Sequence, residues 1–115
     1  MPLPTDASAF WWFLHLLIRF GVGAILCRLT IEGREHVPRS GGCVAACNHS
    51  IGPDYVALGY AASRQVYYLA KSDIFGVHPL LDRFLDAVGA FPIKRGQKDT
   101  GAIQASVDLV KSGKV

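Results

Sequence analysis

The run Asn48-His49-Ser50-Ile51-Gly52-Pro53-Asp54 places an imidazole and a carboxylate on either side of a four-residue turn that contains Gly52 and Pro53. Such a turn folds the carboxylate back onto the ring. A carboxylate held there fixes the tautomer and orientation that a general base needs. Forty residues on from His49, Gly89-Ala90-Phe91-Pro92-Ile93-Lys94-Arg95-Gly96 adds a second polar cluster at the end of another apolar run. Ser50 adjoins the histidine in sequence, but adjacency along the chain rarely gives hydrogen-bond geometry, and it is not assigned as a nucleophile. Cys43, Cys47 and His49 fall on one face of an extended run at period two. That arrangement admits a zinc site, yet it lacks a fourth ligand and ordinary metal spacing. Small buried cysteines explain it better, and no metal is expected.

Composition bounds what these residues belong to. The chain has 115 residues, half of them hydrophobic and 18% charged, which fits one small domain or part of one and argues against disorder. A net charge of +3 suits phosphate or an acidic membrane surface and is too weak to argue for nucleic acid. Three cysteines without regular spacing point to a reducing compartment rather than a disulfide framework.

From Phe10 to Leu29 the chain is almost wholly apolar. Twenty helical residues would extend roughly 30 Å, about one bilayer core. No basic segment precedes the run, so a cleaved signal peptide fits poorly. His15 and Arg19 share a helical face, Trp11 and Trp12 suit the lipid interface, and Gly21 and Gly23 loosen the middle. Residues 1–29 are therefore read as a membrane-associated helix, embedded in one leaflet or obliquely rather than spanning cleanly. The alternative is a hydrophobic helix packed on the rest of the protein.

The remaining segments must position the two polar clusters. Thr30 to Gly33 reads as a short strand, residues 37–42 as a loop, and Cys43 to Cys47 as a central buried strand. Pro53 opens a helix running to about Ser63, with Gly52 or Ser50 as cap and Asp54 near the positive end of its dipole. Val66 to Ala70 is the second strand, with Tyr67 and Tyr68 as packing residues. Pro79 opens a helix with the apolar stripe Leu80, Leu81, Phe84, Leu85 and Val88. Ala90 to Ile93 is a third strand, and Asp99 or Thr100 caps a last helix carrying Ile103, Val107 and Val110. Gly113 is its expected terminator. The alternation predicts an α/β fold: a partial, largely parallel sheet flanked by helices and preceded by the N-terminal hydrophobic membrane helix. It also calls for a further strand where the sequence stops, so a fragment is expected.

Taken together, these residues resemble the glycerolphosphate acyltransferase family, which includes the 1-acylglycerol-3-phosphate acyltransferases. The family's Asn-His-x-x-x-x-Asp block is matched by Asn48, His49 and Asp54, and its Gly-x-Phe-x-x-Arg block by Gly89, Phe91 and Arg95. Gly-Arg-Glu-His-Val-Pro at 33–38 and Ala-Lys-Ser-Asp-Ile-Phe at 70–75 are also similar. The resemblance covers nearly everything from Ile31 onward, which makes residues 30–115 the N-terminal part of an acyltransferase α/β domain. The family's third block, of the Phe-Pro-Glu-Gly-Thr-Arg-Ser kind, does not occur in this sequence, so this fragment alone is expected to be inactive. Ser50-Ile51-Gly52-Pro53 also departs from relatives, which often carry serine one place later and a bulky residue before the aspartate.

The resemblance implies acyl transfer in phospholipid synthesis, from acyl-CoA or acyl carrier protein to the hydroxyl of a glycerol phosphate acceptor, with 1-acylglycerol-3-phosphate favoured. His49 is the expected base, oriented by Asp54. Lys94 and Arg95 are expected to clamp the acceptor's phosphate, and Gly96 to let backbone approach it closely. No cofactor is implied. The expected partners are membrane lipids, the acyl donor and a glycerol phosphate or lysophospholipid acceptor, with the enzyme on the membrane and its site facing the cytoplasm. The competing readings are a truncated, non-catalytic membrane-bound protein that binds anionic lipid, and a thiol or metal protein using Cys43 and Cys47.

Overall fold

In the computed structural model, residues 8–22, 30–49 and 54–115 are described here. The chain forms two compact units, one of Met1–Ser40 with Ala45–Gln65 and the other of Gly41–Val44 with Val66–Val115.

In the first unit, helix α1 covers Ala9–Leu17. Ser8 starts it by accepting a hydrogen bond from the Trp11 backbone N–H at 3.2 Å, an ordinary serine cap. The Ser8 N–H in turn donates to Gln65 Oε1 at 3.0 Å. Trp11 and His15, four residues apart, are the buried face. Ile18–Val22 continues as a wider π-helical turn that contains Gly21. The helix expected over Phe10 to Leu29 is seen as far as Val22, and among the described residues no helix is long and apolar enough to cross a membrane. Residues 23–29 lie outside the described residues.

Thr30 to Gly33 forms no strand. Gly33 adopts φ 75° and leads directly into a 3₁₀ turn over Arg34–His36, a left-handed step that ends extended pairing. Helix α2, Asp54–Ala61, matches the expected helix within a residue or two at each end. Its expected caps at Ser50 and Gly52, and Pro53, lie outside the described residues. Ala62, Arg64 and Gln65, just beyond it, are buried.

The second unit contains the sheet. Strand β1, Tyr68–Lys71, pairs in parallel with strand β2, Ala90–Ile93, with Tyr68 opposite Ala90 and Lys71 opposite Ile93. Between them runs helix α3, Pro79–Ala87, so this is a β–α–β unit. His78 caps α3 by accepting from the Leu80 N–H at 3.1 Å, and Pro79 takes the first-turn position where its missing N–H costs nothing. Within its expected stripe Leu85 is buried, whereas Leu80, Leu81 and Phe84 are exposed. Helix α4, Thr100–Lys111, starts at Asp99, whose Oδ1 accepts from the Ala102 N–H at 3.0 Å. It ends in a Schellman motif. Gly113 at φ 85° donates to Val110 O, and Lys114 N–H reaches Leu109 O at 2.9 Å.

Cys43 to Cys47 is not a ladder strand, contrary to expectation. Val44 is 80% exposed, and the run divides between the two units after residue 44. A central strand needs partners on both edges, and the hydrogen bond here is Cys43 N–H to Lys114 O at 3.2 Å. On its other side the same C-terminal segment accepts at Val115 O from Tyr67 N–H at 2.8 Å. The α/β class and the parallel pairing are as expected, with two strands in the sheet among the described residues.

Candidate functional site

Asp54 is the first residue of α2, where the positive end of the helix dipole favours a carboxylate. His49 follows the apolar run Cys43 to Cys47. The two side chains lie together as expected: His49 Nδ1 is 3.2 Å from Asp54 Oδ2. The side chains are 56% and 35% exposed, so the ring can meet a substrate while the carboxylate is partly shielded. With the proton on Nδ1 donated to Asp54, Nε2 presents its lone pair outward. That is the disposition of an oriented general base.

Three further contacts fix α2 from its C-terminal end. Arg34 Nε donates to Ala61 O at 2.7 Å, and its Nη2 donates to Tyr60 O at 2.8 Å. The fork satisfies two carbonyls that a helix end leaves without intrahelical partners, and its charge complements the negative end of the dipole. Burial lowers the Arg34 pKa below its ordinary value, although an arginine remains charged. In the opposite direction the buried Arg64 donates from Nη1 to Pro38 O at 3.2 Å. Each of two arginines thus ties the 33–38 segment to the end of α2. Sequence reasoning missed both. The signal it had was the Gly-Arg-Glu-His-Val-Pro run itself, without its partner.

The second cluster follows β2 in the other unit. Lys94, Arg95 and Gly96 are exposed at the start of the loop into α4. Asp99 shapes this loop by accepting from the Lys94 backbone N–H through Oδ2 at 3.0 Å while capping α4 through Oδ1. These backbone hydrogen bonds, Lys94 first and then Ala102, hold the Asp99 carboxyl below its usual range. Gly96 has φ 76° with open space around its Cα, so the backbone there is accessible. An exposed arginine, a lysine and an uncovered glycine backbone form a surface suited to an anionic oxygen. His49 with Asp54, and Lys94 with Arg95 and Gly96, are thus two local clusters, one in each unit.

Among the described residues no three His, Cys, Asp or Glu side chains converge on a possible ion site. Cys47 is exposed and Cys43 half-buried, so the buried pair that the sequence favoured is not formed. Ser50 lies outside the described residues.

Comparison with known proteins gives a consistent result. The acyltransferase family model matches residues 28–115. A 1-acyl-sn-glycerol-3-phosphate acyltransferase of Bacillus subtilis (strain 168) is 28% identical over 106 residues, covering 86% of this chain and 53% of the relative. The chain therefore spans about half the length of the curated relative it matches. No solved structure matches it.

Proposed function

Because the chain belongs to the acyltransferase family, we propose that it carries the base of an enzyme that acylates a glycerol phosphate acceptor in phospholipid synthesis, with 1-acylglycerol-3-phosphate as the favoured acceptor. The observation that carries this reading is the 3.2 Å contact of His49 Nδ1 with Asp54 Oδ2 in a chain of that family. The acyl donor is a thioester, acyl-CoA or acyl carrier protein, and is already activated, so no covalent enzyme intermediate is needed. His49 Nε2 takes the proton of the acceptor hydroxyl as its oxygen attacks the thioester carbonyl. Asp54 stabilises the imidazolium that forms. Collapse of the tetrahedral adduct expels the thiolate, which takes that proton and leaves as free thiol. Lys94 and Arg95 bind the acceptor's phosphate, with the Gly96 backbone approaching it. No cofactor enters this chemistry.

Membrane association belongs to the same proposal. Phe13, Leu16, Leu17 and Phe20 recur at i, i+3, i+4 and i+7 and are all exposed, with Phe13 at 59% and Phe20 at 67%. This apolar stripe suits insertion into one leaflet, where the lipid acceptor resides, with the site on the cytoplasmic side. The test is release of free thiol from acyl-CoA by the full-length protein, with and without 1-acylglycerol-3-phosphate. Turnover is expected only with acceptor, and His49→Ala is expected to lower it about 10²–10⁴-fold, the usual contribution of a positioned base. Full turnover by His49→Ala removes the base from this assignment. Binding of anionic lipid with no turnover at all would instead favour the non-catalytic lipid-binding reading.

A further inference from the structure

We propose that Arg34 is a positioning residue for the His49–Asp54 pair, acting through the C-terminal end of α2; this rests on His49 being the base. Asp54 is the first residue of an eight-residue helix whose last two carbonyls, Tyr60 O and Ala61 O, are both held by one guanidinium. Those carbonyls lie about 10 Å along the axis from Asp54, at 1.5 Å per residue. A short helix moves as a rod, so a tilt of about 5° about the Arg34 end carries Asp54 through roughly 1 Å. The His49–Asp54 contact, at 3.2 Å, already lies at the outer edge of hydrogen-bond length. It has no slack for such a tilt.

The other contacts at that end do not replace Arg34. Arg64 Nη1 to Pro38 O, Gln65 Oε1 to Ser8 N–H and the ring of Tyr60 against His15 all involve side chains around the helix end. Arg34 alone among these binds the backbone of α2 itself, at two consecutive carbonyls, and so fixes both the position and the direction of the axis. Lysine at this position keeps the charge but lacks the planar fork that reaches both oxygens.

The test reads the His49 tautomer directly in the full chain by long-range proton–nitrogen correlation, at about pH 8.5 where imidazoles are neutral. His49 is identified among the four histidines by its loss in His49→Gln. The unaltered chain should show the Nδ1–H tautomer, and Asp54→Ala should convert His49 mainly to the Nε2–H form that free histidine prefers. Arg34→Gln should move at least half of the His49 signal to the same form, and Arg34→Lys should give an intermediate shift. If Arg34→Gln loses spectral dispersion and is unfolded, Arg34→Lys decides alone. A His49 tautomer unchanged in every folded Arg34 variant overturns the proposal, and so does one unchanged in Asp54→Ala. Failure of the base assignment is distinct, because it shows as full turnover in His49→Ala whatever the tautomer does.

Discussion

His15 of α1 stacks on Tyr60 of α2 with ring centroids 4.8 Å apart and planes inclined by 22°. The imidazole is 4% exposed, and among the described residues its Nδ1 has no hydrogen-bond partner, like the buried Nε1 of Trp11 one turn away. Burial lowers the His15 pKa below its usual 6.5, and the positive charges of Arg34 and Arg19 push the same way. The unfolded chain thus takes up this proton at a higher pH than the folded chain. The stabilising contribution of the neutral ring is complete above about pH 6.5 and is lost as the pH falls through that value towards the lowered folded one.

A His15→Phe variant keeps an aromatic ring on Tyr60 and removes the titration. Denaturation midpoints at pH 8 and pH 5 should therefore differ less in the variant than in the parent. Because the buried Nδ1 makes no hydrogen bond among the described residues, the substitution removes an unsatisfied polar atom, and stability at pH 8 should be kept. Equal losses on acidification in both proteins would show that His15 is not the titrating group.

The same helix illustrates what a sequence does and does not reveal. Hydropathy registered Phe10 to Leu29 as one apolar run, but it does not encode that Trp11 and His15 turn inward. Local devices were readable: Pro79 at a first helical turn, Asp99 as a cap and Gly113 as a terminator each act within a few residues. His49 and Asp54 were readable for the same reason, being five positions apart. Arg34 and Ala61 are 27 apart, and a side chain reaching a backbone carbonyl leaves no trace in the partner's identity. Cys43 to Cys47 misled because an apolar run looks alike whether or not a ladder receives it.

The exposed stripe on α1 gives a second prediction. Withdrawing a Leu or Phe side chain from an apolar phase costs roughly 1.5–3 kcal/mol, more than a tenfold change in partitioning. Leu17→Ser combined with Phe20→Ser should reduce co-sedimentation of the protein with anionic phospholipid vesicles by at least 100-fold. Both positions are exposed, so the fold should persist. Undiminished sedimentation would mean that another surface meets the lipid.

Gly42 has a purely steric role. A Cβ placed there would sit 1.8 Å from Val110 O, and backbone cannot yield as a flexible side chain can. This is the point where the 41–44 segment passes the end of α4, next to the Cys43–Lys114 hydrogen bond. Gly42→Ala should destabilise the chain by about 1–3 kcal/mol, the range for overpacking a close contact. A urea midpoint within error of the parent would show that the two segments separate freely.

The Lys94–Gly96 loop allows substrate binding to be separated from proton transfer. If Arg95 meets the acceptor's phosphate, Arg95→Ala removes charged hydrogen bonds worth about 1.5–3 kcal/mol, and the acceptor KM of the full-length enzyme should rise roughly 10–100-fold. The KM for the acyl donor should stay unchanged, because the lost interaction involves the acceptor's phosphate alone. Gly96→Ala tests the neighbouring backbone. Its φ of 76° lies in the left-handed region, while the space around its Cα is open, so its cost is conformational rather than steric. A penalty of about 1 kcal/mol in stability should accompany it, with a smaller rise in acceptor KM than Arg95→Ala produces. Steady-state kinetics varying each substrate in turn distinguish the cases. An Arg95→Ala enzyme that loses kcat with both KM values unchanged would place this arginine in the chemical step instead of the phosphate clamp.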